Sequence, residues 1–144
     1  MLSWFLKKIN ARQKGFTLIE MIVVIGIIAI LVGIAVPQAV KQINRAKINA
    51  DLANARNIAM AIQQYILDGK SLENEDKWKP VDGADFLSYL SGGVPKPKYS
   101  SDYKGFCYKY FNETVSVGVY KVDNSGNIQD VISLYPTPES PYNQ

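Results

Sequence analysis

The sequence predicts an α+β protein: a long N-terminal α-helix, transmembrane in its first half and amphipathic in its second, packed on a small antiparallel sheet of three to four strands. Three observations predict this fold: an apolar run at 16–36, a helical periodicity at 43–64, and three strand-like segments after residue 105. The 144 residues leave room for one globular domain beside the apolar run. We divide the chain into a basic leader at 1–15, a spanning helix at 16–36, its amphipathic half at 37–68, and a remainder at 69–144 that completes one globular head.

The apolar run at 16–36 is long enough to span a membrane. Its twenty-one residues, at about 1.5 Å rise each, extend about 30 Å, the thickness of a bilayer's hydrocarbon core. No acidic residue occurs among the first fifteen. By the positive-inside rule the N-terminus stays in the cytoplasm, so the chain crosses the inner or cytoplasmic membrane once and its C-terminal body faces outward. The cations that set this orientation are Lys7, Lys8, Arg12 and Lys14.

The carboxylate of Glu20 needs an explanation, because an ionisable side chain inside a membrane-spanning helix is costly and usually has a partner. No Lys or Arg follows within the apolar run. Cleavage of the bond between Gly15 and Phe16 would create a partner, since it exposes an α-ammonium at Phe16, close to the Glu20 of a neighbouring copy. Proteolysis would then act as a switch for assembly.

Residues 14–20, Lys-Gly-Phe-Thr-Leu-Ile-Glu, with Met-Ile-Val-Val-Ile at 21–25, resemble the class III-type prepilin leader and N-terminal methylation motif of type IV pilins and pseudopilins. The resemblance covers about the first fifty residues and implies a pilin-like fold. It implies cleavage after Gly15 by a membrane aspartic prepilin peptidase and N-methylation of Phe16. It also implies that Glu20 pairs with the methylated amine of an adjacent subunit.

Two other interpretations of the N-terminus stay open. Gly33-Ile34-Ala35 has the small residues of a secretory signal cleaved after Ala35, although secretory apolar regions typically run roughly 7 to 15 residues, shorter than this one. The helix could also be a plain uncleaved anchor. Either alternative describes a membrane-anchored or secreted binding domain that does not polymerise.

A periodic pattern follows the apolar run and predicts the amphipathic half of the same helix, ending near Leu67 with Gly69 as its C-terminal glycine. Charged residues, including Asp51, fall mostly outside the periodic stripe. We expect the stripe to form the seam against the core of the head, with Ile58, Ile62 and Tyr65 beside it. Its members, at spacings of three and four, are Ile43, Ala46, Ala50, Ala53, Asn57, Ala61 and Gln64.

Gly26, Gly33 and Pro37 are expected to weaken the helix. Proline removes a backbone donor and usually kinks the axis, and glycine is a poor helix former. We expect a bend in the single subunit. The family resemblance implies that the segment between such a glycine and this proline is locally unwound in filaments.

The segment at 70–80 is polar and aperiodic, and predicts an exposed loop anchored by Trp78. A short helix should follow, with Asp82 as its N-cap, Asp85 near the capping-box position, and a buried face of Phe86, Leu87 and Leu90. Gly92-Gly93 should end it.

Three strands are predicted at 106–111, 115–122 and 128–134, joined by turns at Asn112-Glu113 and at 123–127 into an antiparallel meander. The proline-containing tail from Pro136 should lie on the surface without regular structure.

Catalytic chemistry is not expected. The chain has no histidine, which excludes the usual zinc sites and histidine-based triads, and it has no phosphate-binding glycine-rich loop. No cofactor is predicted. A weak calcium possibility attaches to the oxygen-rich loop that begins at Asp123, but a hairpin turn explains the same residues. The single cysteine, Cys107, is expected to be a small buried strand residue, and the C-terminal cysteine pair of many family members is missing.

DNA binding is a secondary possibility. The formal charge is +3, but the leader contributes +4, so the side chains from Phe16 onward sum to −1. A basic aromatic surface could still form where lysines alternate with Tyr99, Tyr103 and Tyr108. Two features argue against such a surface: Asp102 is a negative charge nearby, and tyrosines of this kind tend to be core residues. The candidate DNA contacts are Lys96, Lys98 and Lys104, with Lys109 next to them.

The sequence as a whole indicates a structural filament subunit that polymerises with copies of itself through its N-terminal helix. The resemblance implies further partners: a prepilin peptidase and methyltransferase, a membrane assembly platform with an ATPase, and membrane lipid before assembly. The filament would be extracellular or periplasmic. A major pseudopilin of a type II secretion or competence system is the alternative, although Pro95-Lys96-Pro97-Lys98 stands where major pseudopilins commonly carry an Asp-Pro-Trp-like motif.

Overall fold

The computed structural model describes residues 15–143, so the predicted leader lies almost entirely outside the described residues. It contains one long helix, α1 (Leu18–Leu67), and four strands: β1 (Glu75–Pro80), β2 (Gly105–Phe111), β3 (Thr114–Val122) and β4 (Ile128–Tyr135). A short 3-10 helix, Asp85–Tyr89, lies between β1 and β2. The predicted α+β class is confirmed. The chain divides into two compact units, Met1–Val40 and Lys41–Gln144, which are described separately.

In the first unit, α1 begins at Leu18 and its apolar side chains are exposed. Helix α1 contains an 18-residue window with a mean hydropathy of 3.0, so by length and composition it could cross a membrane, and none of that window is buried within the described structure. Gly26, Gly33 and Pro37 all lie inside the helix. Pro37 cannot donate to the carbonyl of Gly33, so α1 lacks one backbone hydrogen bond in this turn. The helix is nevertheless not interrupted in the single subunit, and the bend and its unwinding in filaments stay predictions.

In the second unit, the four strands form one antiparallel sheet in the order β1-β2-β3-β4. The three predicted strands are confirmed to within one residue at each end. Asn112 and Glu113 form the turn between β2 and β3, with φ angles of 49° and 61°. Positive φ at both central residues is what a two-residue hairpin of type I′ requires.

Strand β1 corrects the prediction of an exposed loop at 70–80. Its sequence, Glu-Asp-Lys-Trp-Lys-Pro, lacks alternation and ends in proline, so it does not read as a strand. An edge strand pairs with only one neighbouring strand. Proline has no backbone N–H, and this is tolerated at Pro80 because it lies at the end of an edge strand. Trp78 is half-buried, and the ammonium of Lys109 lies 5.3 Å from its ring centre.

The buried face of α1 also differs from the predicted stripe. Ala61 is buried, but Ile43, Ala46, Ala53, Asn57 and Gln64 are exposed. The predicted stripe follows the spacing of alanines, whereas the larger branched and aromatic side chains decide which face turns inward. The buried residues of α1 are Ile48, Asp51, Ala55, Ile58, Ala59, Ala61, Ile62 and Tyr65.

The short helix starts later than predicted. It begins at Asp85 as a 3-10 helix, after Ala84, and no side chain caps it, so the assignment of Asp82 as N-cap was wrong. Gly83 has a φ of 82°, a left-handed conformation that turns the chain just before the helix can begin. Phe86 and Leu90 are buried as predicted, while Leu87 is half-buried against the core.

Gly118 on β3 gives a test of the packing between β3 and β4. A Cβ at this position would lie 2.5 Å from the carbonyl oxygen of Ile132, which is backbone and cannot rotate away. We expect Gly118→Ala to lower the free energy of unfolding by about 2 kcal/mol or more. Gly105→Ala is the matched control, because its Cβ meets the Tyr120 ring at 3.3 Å and the ring can yield. Equal urea midpoints for the two variants would contradict this packing.

Candidate functional site

The predicted cleavage point lies in an accessible segment. Gly15, Phe16 and Thr17 precede the helix without regular secondary structure, and the Phe16 side chain is 79% exposed. An open groove of about 420 Å³ is lined by Phe16, Glu20 and three aliphatic side chains of α1: Ile19, Val23 and Val24. The one charged group on this apolar surface is therefore next to the residue that cleavage would make the N-terminus.

Thr17 and Glu20 form a capping box at the start of α1. The Thr17 backbone N–H and hydroxyl both donate to Oε2 of Glu20 at 2.8 Å, and the Glu20 N–H donates to the Thr17 hydroxyl at 3.3 Å. The Thr17 carbonyl accepts the first intrahelical bond, from Met21. This arrangement satisfies donors that a helix N-terminus otherwise leaves open.

The sequence analysis missed this box, although Thr-x-x-Glu ahead of an apolar run is its signature. Within residues 15–143, Oε2 takes both bonds from Thr17 and none reaches Oε1. The cap therefore holds the carboxylate at the first turn and leaves one oxygen available for a further donor.

Residues 10–36 match a family model described as "Prokaryotic N-terminal methylation motif". The chain is 43% identical over 61 residues to the type IV major fimbrial protein FimA of Dichelobacter nodosus, covering 42% of this chain and 39% of that protein. It is 35% identical over 104 residues to the type IV major pilin protein PilE1 of Neisseria gonorrhoeae, covering 72% and 52% respectively. The chain is similar in its N-terminal part to type IV pilins.

Another protein to which the chain is similar has a name that places it in a secretion system. The type II secretion system core protein G of Pseudomonas aeruginosa is 33% identical over 87 residues, which are 60% of this chain and 58% of that protein. The matched segments span less than two thirds of the length of each of these three relatives. No solved structure matches the chain.

The head contains a buried carboxylate that the sequence analysis placed outside the core. Asp51 is 0% exposed. Its Oδ1 accepts from the Lys98 N–H at 2.7 Å, and its Oδ2 accepts from the Tyr99 N–H at 2.9 Å and from the Tyr142 hydroxyl at 3.1 Å. A buried carboxylate is tolerated when it receives donors in this way. One side chain of α1 thus holds the loop before β2 and the C-terminal tail.

The tail lies mostly on the surface without helix or strand, as predicted, but one of its side chains is buried. Tyr142 is 1% exposed and its ring packs against Tyr99 and Tyr103. Glu139 adds a second attachment: its N–H donates to the Ser133 carbonyl at 2.9 Å and its carboxylate accepts from the Ser133 N–H at 3.2 Å. The prolines of the tail led to the prediction of an irregular segment. The aromatic residue among them, Tyr142, was the signal that the tail packs on the core.

Alkaline pH should weaken this attachment. Burial, together with the Asp51 carboxylate, raises the pKa of the Tyr142 phenol well above its usual value. The folded state therefore keeps a proton that the unfolded chain releases near about pH 10, so this stabilisation is complete below that pH and is lost as the pH rises beyond it. We expect urea midpoints of the wild type to fall more steeply than those of Tyr142→Phe between about pH 9 and about pH 11. Parallel curves would contradict the Tyr142 contribution.

The candidate DNA contacts Lys96, Lys98 and Lys104 are exposed. Their aromatic neighbours are used within the head: Tyr99 and Tyr103 pack on Tyr142, and the ring of Tyr108 lies edge-on to Phe86 at 4.9 Å. The half-buried rings that were predicted to stack on bases thus also take part in packing within the head. DNA contact stays a prediction.

The loop at 123–127 is a turn built by Asp123. Its Oδ1 accepts from the N–H groups of Ser125 and Asn127, both at 2.8 Å. Hydrogen bonding from the Asn127 and Ser125 backbones lowers the pKa of the Asp123 carboxyl. The predicted turn is present, and the calcium possibility stays a prediction; no group of three or more His, Cys, Asp or Glu side chains that could hold a metal occurs within the part of the chain that the structure describes.

Cys107 is buried on β2 with a free thiol, as predicted. Burial raises the pKa of the thiol to about 12, so it is protonated and unreactive at neutral pH.

Proposed function

We propose that the protein is a structural subunit of a type IV pilus-like filament, cleaved after Gly15, N-methylated at Phe16, and polymerised through its N-terminal helix. One observation carries the proposal. Glu20 is the one carboxylate in the exposed apolar run at 16–36, it lies four residues after Phe16, and it falls within the stretch that matches the methylation motif. A structural subunit also fits the relatives, whose names are those of fimbrial, pilin and secretion-system proteins rather than enzymes.

The exposed apolar side chains of the first unit support polymerisation. Large apolar residues from Phe16 to Val40 lie on the surface of the single chain. Lipid covers them in a single-pass protein of the inner or cytoplasmic membrane, with its N-terminus in the cytoplasm. In the filament, copies of the same segment cover them, and the ion pair between Glu20 and the Phe16 amine of a neighbour sets the register.

Assembly needs an external source of energy. Lipid and filament core are similarly apolar, so transfer from one to the other gains little hydrophobic free energy. This favours an assembly platform with an ATPase as a partner, besides the peptidase and methyltransferase that prepare the N-terminus. The assembled filament is extracellular or periplasmic.

A major pseudopilin of a type II secretion or competence system is the second candidate. The similarity to a type II secretion core protein over 60% of this chain supports it. Both candidates share the same N-terminal chemistry and differ in the length and location of the filament.

The test is to express the full chain with a prepilin peptidase and an assembly platform, shear the cells, and identify the sheared filaments by electron microscopy and peptide mass. We expect filaments made of this chain when the peptidase is present and none when it is absent. Filaments in both strains, or in neither, would contradict the proposal, and filaments confined to the periplasm would select the pseudopilin.

A further inference from the structure

Helix α1 carries an apolar outer face in the second unit that the core of the head does not use. Ile43, Met60 and Leu67 are 55%, 57% and 78% exposed. Together with three alanines they lie on one side of the helix, at successive spacings of three, four, three, seven and seven residues, with the exposed Asn57 and Gln64 at positions between them. The outer helix face comprises Ile43, Ala46, Ala50, Ala53, Met60 and Leu67.

Charge is distributed unevenly around this face. From 41 to 67 the side chains sum to +3, four cations against the buried Asp51. From 68 to 90 they sum to −3, six carboxylates against three lysines, and from 91 to 144 they sum to zero. The second unit therefore has a basic helix and one acidic segment, defined here as residues 68–90.

The charges on both surfaces include groups without an internal partner. Lys79 pairs with Glu73 and Glu75, and Lys109 pairs with Asp76. Among the residues from 15 to 143, no ion pair involves Asp82 or Asp85, and none involves the cations of the helix. Those cations, all exposed, are Lys41, Arg45, Lys47 and Arg56.

Pairing of the outer helix face with the same face of a second copy is disfavoured, because Lys47 and Arg56 flank it and like charges would meet. The acidic segment of a second copy supplies the opposite charge. A contact between two different surfaces is heterologous, and a heterologous contact that does not close into a ring propagates an open helical filament.

We propose that the outer helix face of each subunit docks on the acidic segment of a second copy, with Lys47 and Arg56 facing Asp82 and Asp85. This inference rests on the proposed function. It names the two surfaces through which the heads of neighbouring subunits would contact each other in the filament. It is separate from the contact of Glu20 with the N-terminal amine.

A charge exchange tests the contact in full-length protein. The helix variant is Lys47→Glu with Arg56→Glu, the segment variant is Asp82→Lys with Asp85→Lys, and the exchange variant combines all four substitutions. We expect each two-residue variant to lower the yield of sheared filaments about tenfold or more, because like charges then meet across the contact, and the exchange variant to recover most of the yield. Lys96→Glu with Lys104→Glu is the control for the helix variant, since it changes the charge equally outside both surfaces.

Urea unfolding and the mass of the N-terminal peptide show in each variant that folding and processing are intact. Wild-type yield from either two-residue variant would overturn the contact, and so would an exchange variant as poor as its parents. If these variants assemble normally while Glu20→Ala does not, the docking surfaces are wrong and the filament function stands. If no variant including the wild type forms filaments, the filament function fails and the docking proposal fails with it.

Discussion

Glu20→Ala should lower the yield of filaments by about two orders of magnitude while leaving cleavage after Gly15 intact, because the variant leaves the N-terminal ammonium of each neighbour buried without its counter-charge. The measurement is the amount of subunit in the sheared fraction relative to the amount in the membrane. Processed subunit should accumulate in the membrane.

Thr17→Val separates the two roles of Glu20. This variant loses the hydroxyl of the capping box but keeps the Glu20 carboxylate and its bond from the backbone N–H of residue 17. If Glu20 served only to cap the helix, both variants would lower assembly to a similar extent. We expect Thr17→Val to assemble within a few-fold of wild type, so equal losses in the two variants would rule out the intersubunit ion pair.

Asp51→Ala should lower the free energy of unfolding of the head by about 4 kcal/mol, since it leaves two partly buried backbone N–H groups and one buried hydroxyl without an acceptor. The donors are Lys98, Tyr99 and Tyr142. The measurement is urea unfolding of the processed chain in detergent, followed by the fluorescence of Trp78. The tail should also become sensitive to protease, because Asp51 holds Tyr142.

Tyr142→Phe is the control for Asp51→Ala, because it removes only part of the same hydrogen-bond network. It removes one of the three hydrogen bonds and keeps the ring packed against Tyr99, so a loss of about 1 kcal/mol is expected. An Asp51→Ala variant as stable as Tyr142→Phe would show that the bonds to the backbone of the loop contribute nothing measurable.

The position of Glu20 shows how much of the site the sequence could predict. One carboxylate in an apolar run that follows Gly15 and four cations leads to the hypothesis of cleavage and an ion pair, and both stay predictions. The capping box with Thr17 could also have been read from spacing, because it is local in the chain.

Asp51 and β1 show what the sequence could not predict. The partners of Asp51 lie 47, 48 and 91 residues away, so nothing near it in the chain marks it as buried. The strand β1 forms because β2 offers an unpaired edge, which overrides a local sequence without alternation. Both failures concern contacts between distant residues, whereas the helix end and the hairpin turns, set by neighbouring residues, were predicted correctly.

The mass of the N-terminal peptide of the chain recovered from whole cells and their medium tests the central claim most directly. A peptide that begins at Phe16 and carries one added methyl group is the expected result. A peptide that begins at Met1 would show an uncleaved anchor, and one that begins at Val36 would show a secreted domain. Either of these would contradict assembly through a new N-terminal amine paired with Glu20.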